Sequence, residues 1–416
     1  PITIISEPWS DAKLLEHLHR GPHQSAIDAV DFVREEMADF HKKSYWIILP
    51  FDLLRHLPGL RLSPLGAVPQ RNRRPRLIND LTFNDVNAGT LRQAPPESMQ
   101  FGRTLERTLV QVANQNPKFG PVRAQKIDLS DGFYRVPTNA LHALGLACLV
   151  PRLGNESPLV AVPLALPMGW VESPPWFCAL TETIADMANA RIHAGNLPPH
   201  RLERMALDSG TEEPDVVPTD PPTGLELLPQ SVPLPPPHIR HNMLRRPIAS
   251  VDIYVDDFID LVQGDAQRQL EVTRVILHTI DEFLRPLEPH EAHIHKEPAS
   301  EKKLMLGDAA FRVRKIILGW LLDTVHRTIQ LPQHRYERLH EILNTVAGRK
   351  RVSVKDWHKV LGELRSMALA IPGTRGLFST LQSALQQKEA RSRIRITRKM
   401  RTQLDYFHAI AFDLHH

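Results

Sequence analysis

Two adjacent aspartates, Asp256 and Asp257, separate two short apolar segments of the sequence. Residues 251–255 alternate apolar with polar side chains and residues 258–262 are mostly apolar, which predicts two strands joined by the aspartates as a two-residue hairpin connection. Aspartate is common in such turns, so a purely structural turn is one interpretation. Two carboxylates at the tip of a buried hairpin nevertheless repel each other, and a divalent cation relieves that repulsion.

A further carboxylate, Asp128, ends a short predicted strand far upstream. Residues 126–129 read Lys-Ile-Asp-Leu, and Ser-Asp-Gly-Phe-Tyr-Arg-Val follows. Because Asp128 is more than a hundred residues from Asp256, only a tertiary fold can bring the two together. Three carboxylates at the ends of neighbouring strands would hold two Mg²⁺ ions about 4 Å apart and suit in-line phosphoryl transfer.

Between these carboxylates lies the segment Leu-Pro-Met-Gly-Trp-Val-Glu-Ser-Pro-Pro at 166–175. Gly169 permits close approach of the backbone to a ligand, and Pro174 and Pro175 can begin a helix that continues through Phe177 and Ile184. An ordinary entry from a loop into a helix explains the same residues equally well.

These features, in this order, resemble the reverse transcriptase family, most closely the DIRS-like and LTR types of retrotransposon enzyme. Their joint match is specific and covers about 60–385, although each motif alone is weak. The matching segments are Tyr254-Val255-Asp256-Asp257 for the YxDD box, Asp128 to Tyr134 for the first aspartate box, Leu166 to Pro174 for the LPxGxxxSP box, Arg74 to Leu81 for the finger strand, and Ile317 to Trp320 for the primer grip.

The resemblance implies an α+β right-hand polymerase with a ferredoxin-like palm, fingers and a helical thumb. The expected activity is RNA-directed DNA synthesis, in which nucleotides pass from dNTPs to a primer 3′-OH with two Mg²⁺ ions, or Mn²⁺ in their place. The expected partners are an RNA or DNA template-primer and dNTPs, with no membrane and an open oligomeric state. The expected location is intracellular, either cytoplasmic or nuclear.

By this resemblance Asp128, Asp256 and Asp257 are the catalytic metal ligands, and Asp257 is the most dispensable of them. The main-chain carbonyl of Ile127 or Leu129 would be an additional oxygen ligand. We expect Asp131 and the other nearby aspartate, Asp260, to be structural or solvated.

The resemblance also implies a dNTP-binding set, namely Arg76, Arg74, Phe133, Met168 and Gly169. Arg76 would hold the triphosphate through its planar guanidinium, although a plain basic surface cluster is the alternative. The ring of Phe133 would exclude a ribose 2′-hydroxyl, unless Phe133 is simply a core residue. Met168 replaces a glutamine that is frequent in retroviral enzymes, so the side-chain hydrogen bond made there is in doubt.

Other implied contacts concern the primer and the duplex. Ser353 and Asp356 predict a capped start to a helix over 353–368 with an apolar core stripe. The primer grip would be Leu318, Gly319 and Trp320, and the template-primer contacts would be Gly362, Lys355, Lys359 and Arg365.

Two groups of residues carry weaker interpretations. Lys302 and Lys303 lie where the family often keeps a lysine near the leaving pyrophosphate, but a solvated pair is the favoured interpretation. The acidic and histidine residues between Glu288 and His295 fit no standard metal-site spacing.

The elements that must position these residues follow from periodicity. We predict a helix over Ala26–Phe40, a hairpin at 250–262, a helix near Ala266–Leu284, one apolar strand at 316–322, and helices over most of 333–412. The cluster at Arg71–Arg76 contains Pro75, which favours a strand or turn at a sheet edge.

The predicted organisation has four parts and one insertion. Residues 1–60 form an N-terminal helical extension, 61–325 the fingers and palm, 326–385 the thumb, and 386–416 a basic helical segment that begins a truncated connection. Twelve of the 36 prolines lie between 198 and 247, which predicts a flexible, partly polyproline insertion.

Composition excludes several classes of protein. The 416 residues are 42% hydrophobic and 24% charged, so the chain can bury a core. Two cysteines rule out a disulfide scaffold, and the longest apolar run is far shorter than the roughly 20 residues of a membrane span. The first residue is a proline, and we expect a fragment of a longer protein.

Charge is concentrated in one region. Although the net charge is +4, residues 345–401 carry fourteen Lys or Arg against three Asp or Glu, which favours a polyanionic partner but also fits a solvated basic surface. Two functional alternatives remain open. One is a domesticated, catalytically silent nucleic-acid-binding protein, and the other is an RNA-directed RNA polymerase.

Overall fold

The computed structural model of the chain separates into two compact units. The first unit comprises Pro1–Met99, Leu129–Ile184 and Ile280–Ala299, and the second comprises Gln100–Asp128, Ala185–Thr279 and Ser300–His416. The structure describes residues 2–70, 73–195, 197–208, 244–285, 296–371, 374–386 and 393–415.

A five-stranded sheet forms the centre of the first unit. One edge strand contains Pro75, which cannot donate a hydrogen bond and is therefore tolerated at an edge, as the sequence predicted. All neighbouring pairs are antiparallel except the pair of the third and fourth strands. In spatial order the strands are Trp46–Pro50, Leu159–Pro163, Cys148–Leu149, Ser63–Gln70 and Arg73–Asn79.

Helices surround this sheet. The predicted helix over Ala26–Phe40 is interrupted at Ala29, whose φ of −113° and ψ of 34° are not helical. The expectation of helices over 1–60 also omitted the strand Trp46–Pro50, whose continuous apolar run does not distinguish a strand from a helix. The helices are Asp11–Arg20, Gln24–Asp28, Val30–Lys42, Phe51–Leu54, Val86–Gly89, Ala140–Ala143 and the part of Ser173–Arg191 up to Ile184.

A three-stranded antiparallel sheet carries the predicted hairpin of the second unit. Its central strand, Asp257–Gln263, pairs with Val122–Asp128 on one side and Ala249–Tyr254 on the other. The hairpin is confirmed, but its connection is displaced by one residue. Val255 and Asp256 form the turn, and Asp257 begins the second strand, where it pairs with Tyr254.

A second three-stranded sheet replaces the single strand predicted at 316–322. Arg314–Ile317 and Trp320–Asp323 form a hairpin, and Thr328–Gln330 pairs with the latter. The two residues between the first pair of strands, Leu318 and Gly319, both have positive φ angles, 51° and 79°. Positive φ at both central residues is the geometry of a tight hairpin turn, and an apolar run hides such a turn unless its glycine is noticed.

Helices account for much of the remaining second unit. The predicted helix at Ala266–Leu284 is confirmed, as is the helix that begins after Ser353, whose hydroxyl accepts from the backbone N–H of Asp356 at 3.0 Å. Short strands at Arg351–Ser353 and Arg393–Arg395 interrupt the helices predicted over 333–412. The helices are Thr104–Ala113, the part of Ser173–Arg191 from Ala185, Glu203–Asp208, the part of Ala266–Leu284 up to Thr279, Glu301–Met305, Gln333–Val346, Val354–Ala370, Thr374–Ser383 and Arg398–His415.

The C-terminal helices of this unit share one apolar core. It includes the predicted stripe of the helix Val354–Ala370, and the indole nitrogen of its central residue, Trp357, donates to the Leu381 carbonyl at 3.1 Å. Burial of these side chains, at roughly 1.5–3 kcal/mol each, stabilises the bundle. The largest buried members are Trp320, Trp357, Phe407, Met367 and Phe378.

Some predicted features fall outside the described residues. These are Arg71, the segment from Glu288 to His295, and most of the predicted insertion at 198–247, of which 209–243 are not described. Among the described residues, no helix combines the length and the apolar character needed to cross a bilayer.

One buried carboxyl in the central strand has no compensation. Asp260 is fully buried, neither of its side-chain oxygens has a hydrogen-bond partner in the described structure, and burial raises its pKa well above the ordinary 3.8. Of the two roles expected for Asp260, structural or solvated, its burial excludes the solvated one. A neutral carboxyl costs far less to bury than a charged one, so the folded state favours the protonated form.

Asp260→Asn should flatten the pH dependence of stability. Because the folded state retains a proton that the unfolded state releases, wild-type stability is complete below the ordinary pKa and falls by up to about 1.4 kcal/mol per pH unit above it, until the raised pKa is passed. Urea unfolding between acid and neutral pH measures this slope. The exposed Asp405→Asn serves as the control, and equal slopes in wild type and Asp260→Asn would contradict the expectation.

Candidate active site

Two of the predicted metal ligands face each other across neighbouring strands. Asp128 is the last residue of its strand and pairs directly with Asp257 at the end of a seven-residue register. Asp128 is 3% exposed, and its Oδ1 atom is buried with no hydrogen-bond partner among the described residues. Like charges opposite each other destabilise a sheet, so this pair calls for a nearby cation.

The third carboxylate lies in the hairpin turn. Val255, the residue before Asp256, has a φ of 59°, a left-handed conformation that is costly for a β-branched side chain. The Asp256 residue is exposed by surface area, yet neighbouring atoms crowd its carboxyl enough that desolvation raises its pKa. A strained turn of this kind persists only where the surrounding structure holds it in place.

Side chains from two helices hold the first strand of the hairpin. Thr104 donates to the Ile253 carbonyl at 2.6 Å, and Asn189 donates to the Val251 carbonyl at 2.7 Å and accepts from the Val251 N–H at 2.9 Å. Thr104 and Asn189 were not predicted from the sequence, because their neighbouring residues give no indication of a contact with a strand so distant in the chain.

A guanidinium holds the same strand through a side-chain ion pair. Arg107 forms an ion pair with Asp252, donating from Nε at 2.7 Å. Arg107 lies on the same helix, Thr104–Ala113, as the threonine that binds the strand backbone. This one helix therefore fixes the strand through both backbone and side-chain contacts.

Lys303 is exposed, as the solvated interpretation expected, but it also has a carboxylate partner. Lys302 is exposed as well, and the ammonium of Lys303 forms an ion pair with Oδ2 of Asp128. Lys303 approaches Asp128 because the Ser300 N–H donates to the Asp128 carbonyl at 2.8 Å, directly before the helix Glu301–Met305. The lysine thus supplies one positive charge to the buried carboxylate.

The donor set suits a divalent cation in its chemistry. Carboxylate and carbonyl oxygens are the ligands that Mg²⁺ prefers, and the unpartnered Oδ1 of Asp128 is free to accept one. The side chains are not, however, arranged as a complete metal site. In the described part of the chain, no three His, Cys, Asp or Glu residues lie close enough together to hold a metal ion. One predicted extra ligand, Leu129, lies in the first unit, where it forms a single β-bridge with Ala299.

The first unit brings together three of the predicted dNTP-binding residues. Gly169 follows Met168, and a guanidinium nitrogen of Arg76 lies 3.9 Å from the Met168 sulfur. Arg76 is exposed. Gly169 has a φ of +100°, and a Cβ atom at this position would lie 2.3 Å from the Asn79 carbonyl oxygen, so this position requires glycine.

Two asparagines that sequence reasoning missed fix this loop. The Asn79 side chain donates to the Met168 carbonyl at 2.8 Å. The Asn87 side chain donates to the Gly169 carbonyl and accepts from the Val171 N–H, both at 2.9 Å. Asn79 falls within the matched finger segment, so its position in that motif was the available signal.

Phe133 is half-buried in the first unit. Its ring stacks on that of Phe177 with centroids 4.6 Å apart, and Gly132 lies so close that an added Cβ would meet the Phe177 ring at 2.8 Å. Asp131, which precedes it, has a φ of 54° and accepts a hydrogen bond from the Tyr45 hydroxyl at 3.0 Å. Asp131 is therefore structural, one of the two roles expected for it.

Arg74 is engaged within the first unit. Its guanidinium lies 2.7 Å from a Glu35 carboxylate oxygen and 3.4 Å from one of Glu36, and it also packs over the Phe32 ring. Both ion pairs are with the helix Val30–Lys42. To bind a nucleotide, Arg74 would have to exchange these exposed ion pairs, which are individually weak.

Two of the predicted primer-grip residues, Leu318 and Gly319, form the turn of the second hairpin, and Trp320 begins its second strand. Trp320 is buried in the C-terminal core, and Leu318 packs partly against that core. The carbonyl of Gly319 accepts from Arg335 at 2.9 Å. A Cβ on Gly319 would lie 2.5 Å from the same guanidinium nitrogen, so a glycine here leaves room for the contact with Arg335.

The predicted template-primer residues lie on the helix Val354–Ala370. Lys355, Lys359 and Gly362 recur at intervals of four and three residues, which places them on one face, and all are exposed. Arg365 is also exposed and packs over the Phe378 ring at 5.6 Å. Nothing lies within 4 Å of the Cβ position of Gly362, so the backbone there is open to approach.

Comparison with known proteins gave matches among solved structures alone. The sequence matches no protein-family model and no curated protein. A foamy viral protease-reverse transcriptase dRH bound to double-stranded DNA is 14% identical, with a TM-score of 0.47, and the match covers 89% of this chain and 46% of that one.

Two further structures of the foamy viral protease-reverse transcriptase are similar at the same level. The complex with double-stranded DNA has 14% identity and a TM-score of 0.47, covering 92% of this chain and 56% of that one. The complex with an RNA/DNA hybrid has 15% identity and a TM-score of 0.49, and the match covers 92% of this chain and 37% of that one. The chain spans about half the length of these proteins or less, and similarity at this level establishes neither family nor activity.

Gly169→Ala should destabilise the first unit more than a glycine substitution in open space. Its Cβ would overlap the Asn79 carbonyl oxygen, and overpacking costs about 1–3 kcal/mol beyond the backbone strain of a positive φ. Gly154→Ala is the matched control, because Gly154 also has a positive φ but nothing within 4 Å. Urea unfolding compares the two, and equal losses of stability would show that the close approach is unimportant.

Proposed function

We propose that this chain is the RNA-directed DNA polymerase of a retrotransposon, of the DIRS-like or LTR type. It would transfer nucleotides from dNTPs to a primer 3′-OH on an RNA or DNA template. The observation that carries the proposal is the placement of Asp128 opposite Asp257, with Asp256 next in the turn. These are the carboxylates of the two most specific motifs, and they come from segments more than a hundred residues apart.

The three carboxylates would hold two Mg²⁺ ions, or Mn²⁺ in their place. Bound there, the ions would supply Lewis-acid stabilisation of the developing 3′-alkoxide and the triphosphate charge. Asp128 and Asp256 would be the main ligands, Asp257 the more dispensable, and the Leu129 carbonyl an additional oxygen. Lys303 would keep Asp128 ionised through its ion pair.

Residues of the first unit would bind the nucleotide. Arg76 would hold phosphate oxygens through its exposed guanidinium, and the fixed backbone at Met168 and Gly169 would face the base. Arg74 would assist after leaving its glutamate partners. The ring of Phe133, supported from behind by Phe177, would exclude a 2′-hydroxyl and so favour deoxynucleotides.

The proposal includes a division into fingers and palm over 61–325 and a thumb over 326–385. The hairpin turn at Leu318–Gly319 would position the primer through its backbone, because Trp320 is buried. Lys355, Lys359 and Arg365 would contact phosphates, with Gly362 near the minor groove. We further propose an intracellular location for this activity.

Two alternatives differ in what they predict. An RNA-directed RNA polymerase would extend a primer with rNTPs, and the bulky Phe133 disfavours it. A silent nucleic-acid-binding protein would bind template-primer without extension, and the three intact carboxylates disfavour it. Primer extension with dNTPs and with rNTPs, on RNA and DNA templates, separates all three.

Asp256→Asn should abolish primer extension and leave template-primer affinity within a few-fold of wild type. The amide removes a metal ligand without altering the basic helix that would bind the duplex. Extension and binding are measured on the same preparations, with the exposed Asp186→Asn as the control. Turnover retained by Asp256→Asn would refute the ligand role.

Phe133→Ala should raise the rate with rNTPs relative to dNTPs about a hundredfold, if a steric clash of a few kcal/mol is removed at 1.4 kcal/mol per factor of ten. If Phe133 serves packing alone, stability falls by roughly 3–5 kcal/mol and both substrates lose equally. The kcat/KM ratio and the melting temperature are measured together. Phe83→Ala, an exposed phenylalanine of the same unit, is the control.

A further inference from the structure

Two segments rich in arginine pair in the second unit. The strands Arg351–Ser353 and Arg393–Arg395 are antiparallel neighbours, with Arg351 directly opposite Arg395 and Arg393 opposite Ser353. We call the three exposed side chains Arg351, Arg393 and Arg395 the arginine ladder. The two segments are about forty residues apart in sequence, so the fold, and not local composition, creates this surface.

The ladder faces solvent, while the residues between the arginines face inward. Val352 and Ile394 are each 1% exposed and belong to the apolar core of the C-terminal helices. Side chains alternate across a strand, so burial of these two fixes the arginines on the opposite face. Arg393 and Arg395 are therefore about 7 Å apart on one surface.

Backbone contacts beyond the paired strands hold the two segments together. The Ile396 N–H donates to the Lys350 carbonyl at 3.0 Å, and the Arg401 guanidinium donates to the Arg349 carbonyl at 3.1 Å. Arg349, Lys350 and Arg398 are exposed beside the ladder and extend its positive charge.

This surface breaks two rules of local stability. Like charges directly opposite each other destabilise an antiparallel pair, and Arg351 faces Arg395. The helix that follows begins at Arg398 with no acidic residue in its first turn, although the positive end of a helix dipole favours acids there. Local conflicts of this kind are expected where a surface serves a ligand.

No compensating acid is present within the described structure. Among the described residues, no carboxylate lies within 4 Å of the charged groups of Arg351, Arg393 or Arg395. Elsewhere in the same unit exposed arginines do have such partners, as Arg338 has Glu363 at 2.8 Å. As far as the described residues show, the charge of the ladder is open to an external anion.

We propose that the arginine ladder is a second nucleic-acid-binding surface, which contacts the phosphate backbone of a duplex independently of the helix Val354–Ala370. The identity of the partner as a nucleic-acid duplex rests on the proposed function, whereas the geometry of the ladder does not. Planar guanidinium groups bind phosphate oxygens in a bidentate manner. A membrane fits less well, because the apolar residues that alternate with the arginines are buried and offer no anchor.

The test combines Arg351→Gln, Arg393→Gln and Arg395→Gln in the full chain. Binding of a labelled RNA–DNA hybrid is measured by fluorescence anisotropy from about 50 to 200 mM salt. The negative slope of log affinity against log salt should become shallower by roughly 2 to 3, because each lost phosphate contact accounts for about 0.9. Affinity at the lower salt concentrations should fall by about tenfold or more.

The matched control removes the same charge elsewhere. Lys118→Gln, Arg204→Gln and Arg245→Gln replace three exposed cations of the same unit, and the salt slope should stay near that of wild type. An equal fall in both triple variants would show that net charge alone is responsible and would overturn the proposal. The melting temperatures of both triple variants are measured as well, to show whether unfolding accounts for any loss of binding.

Other outcomes separate this proposal from the polymerase function. If wild type extends primers but the ladder variant keeps the wild-type salt slope, the ladder proposal fails and the function stands. If wild type extends nothing while the ladder variant loses hybrid binding, the function fails and the ladder stands. Loss of binding to vesicles of anionic phospholipid, with hybrid binding unchanged, would assign the surface to a membrane and overturn the proposal.

Discussion

The backbone register between Val122–Asp128 and Asp257–Gln263 is the constraint on which the candidate chemistry depends. Side chains alternate between the two faces of a strand, so a slip of one residue would move every side chain of one strand to the other face. Ile127 opposite Phe258, both fully buried, makes such a slip costly. The buried pair therefore fixes the next pair, Asp128 and Asp257, in place.

The same hairpin accumulates unfavourable features. Two carboxylates face each other, Val255 adopts a left-handed conformation, and Asp260 is buried without a partner in the described structure. Each costs on the order of 1–3 kcal/mol, and the apolar cluster around the sheet must offset them. In the arginine ladder like charges also oppose each other across strands, so both surfaces favour a ligand of opposite charge.

Much of the secondary structure could be predicted because it is coded locally. The helix Ala266–Leu284, the capped helix after Ser353 and the hairpin around Asp256 followed from periodicity and capping residues. The errors arose in apolar runs. One strand was predicted where Leu318 and Gly319 form a turn, and the strand Trp46–Pro50 was missed, because such runs lack the alternation that distinguishes strands from helices.

The sequence by itself determined which residue types could do chemistry: the carboxylates, the glycine at 169 and the basic C-terminal region. Tertiary structure decided their partners. It placed Asp128 opposite Asp257 and Lys303 beside Asp128, engaged Arg74 with Glu35, and paired two distant basic segments into one ladder. Local patterns carry no information on such contacts, because each depends on burial and strand pairing between segments far apart in the chain.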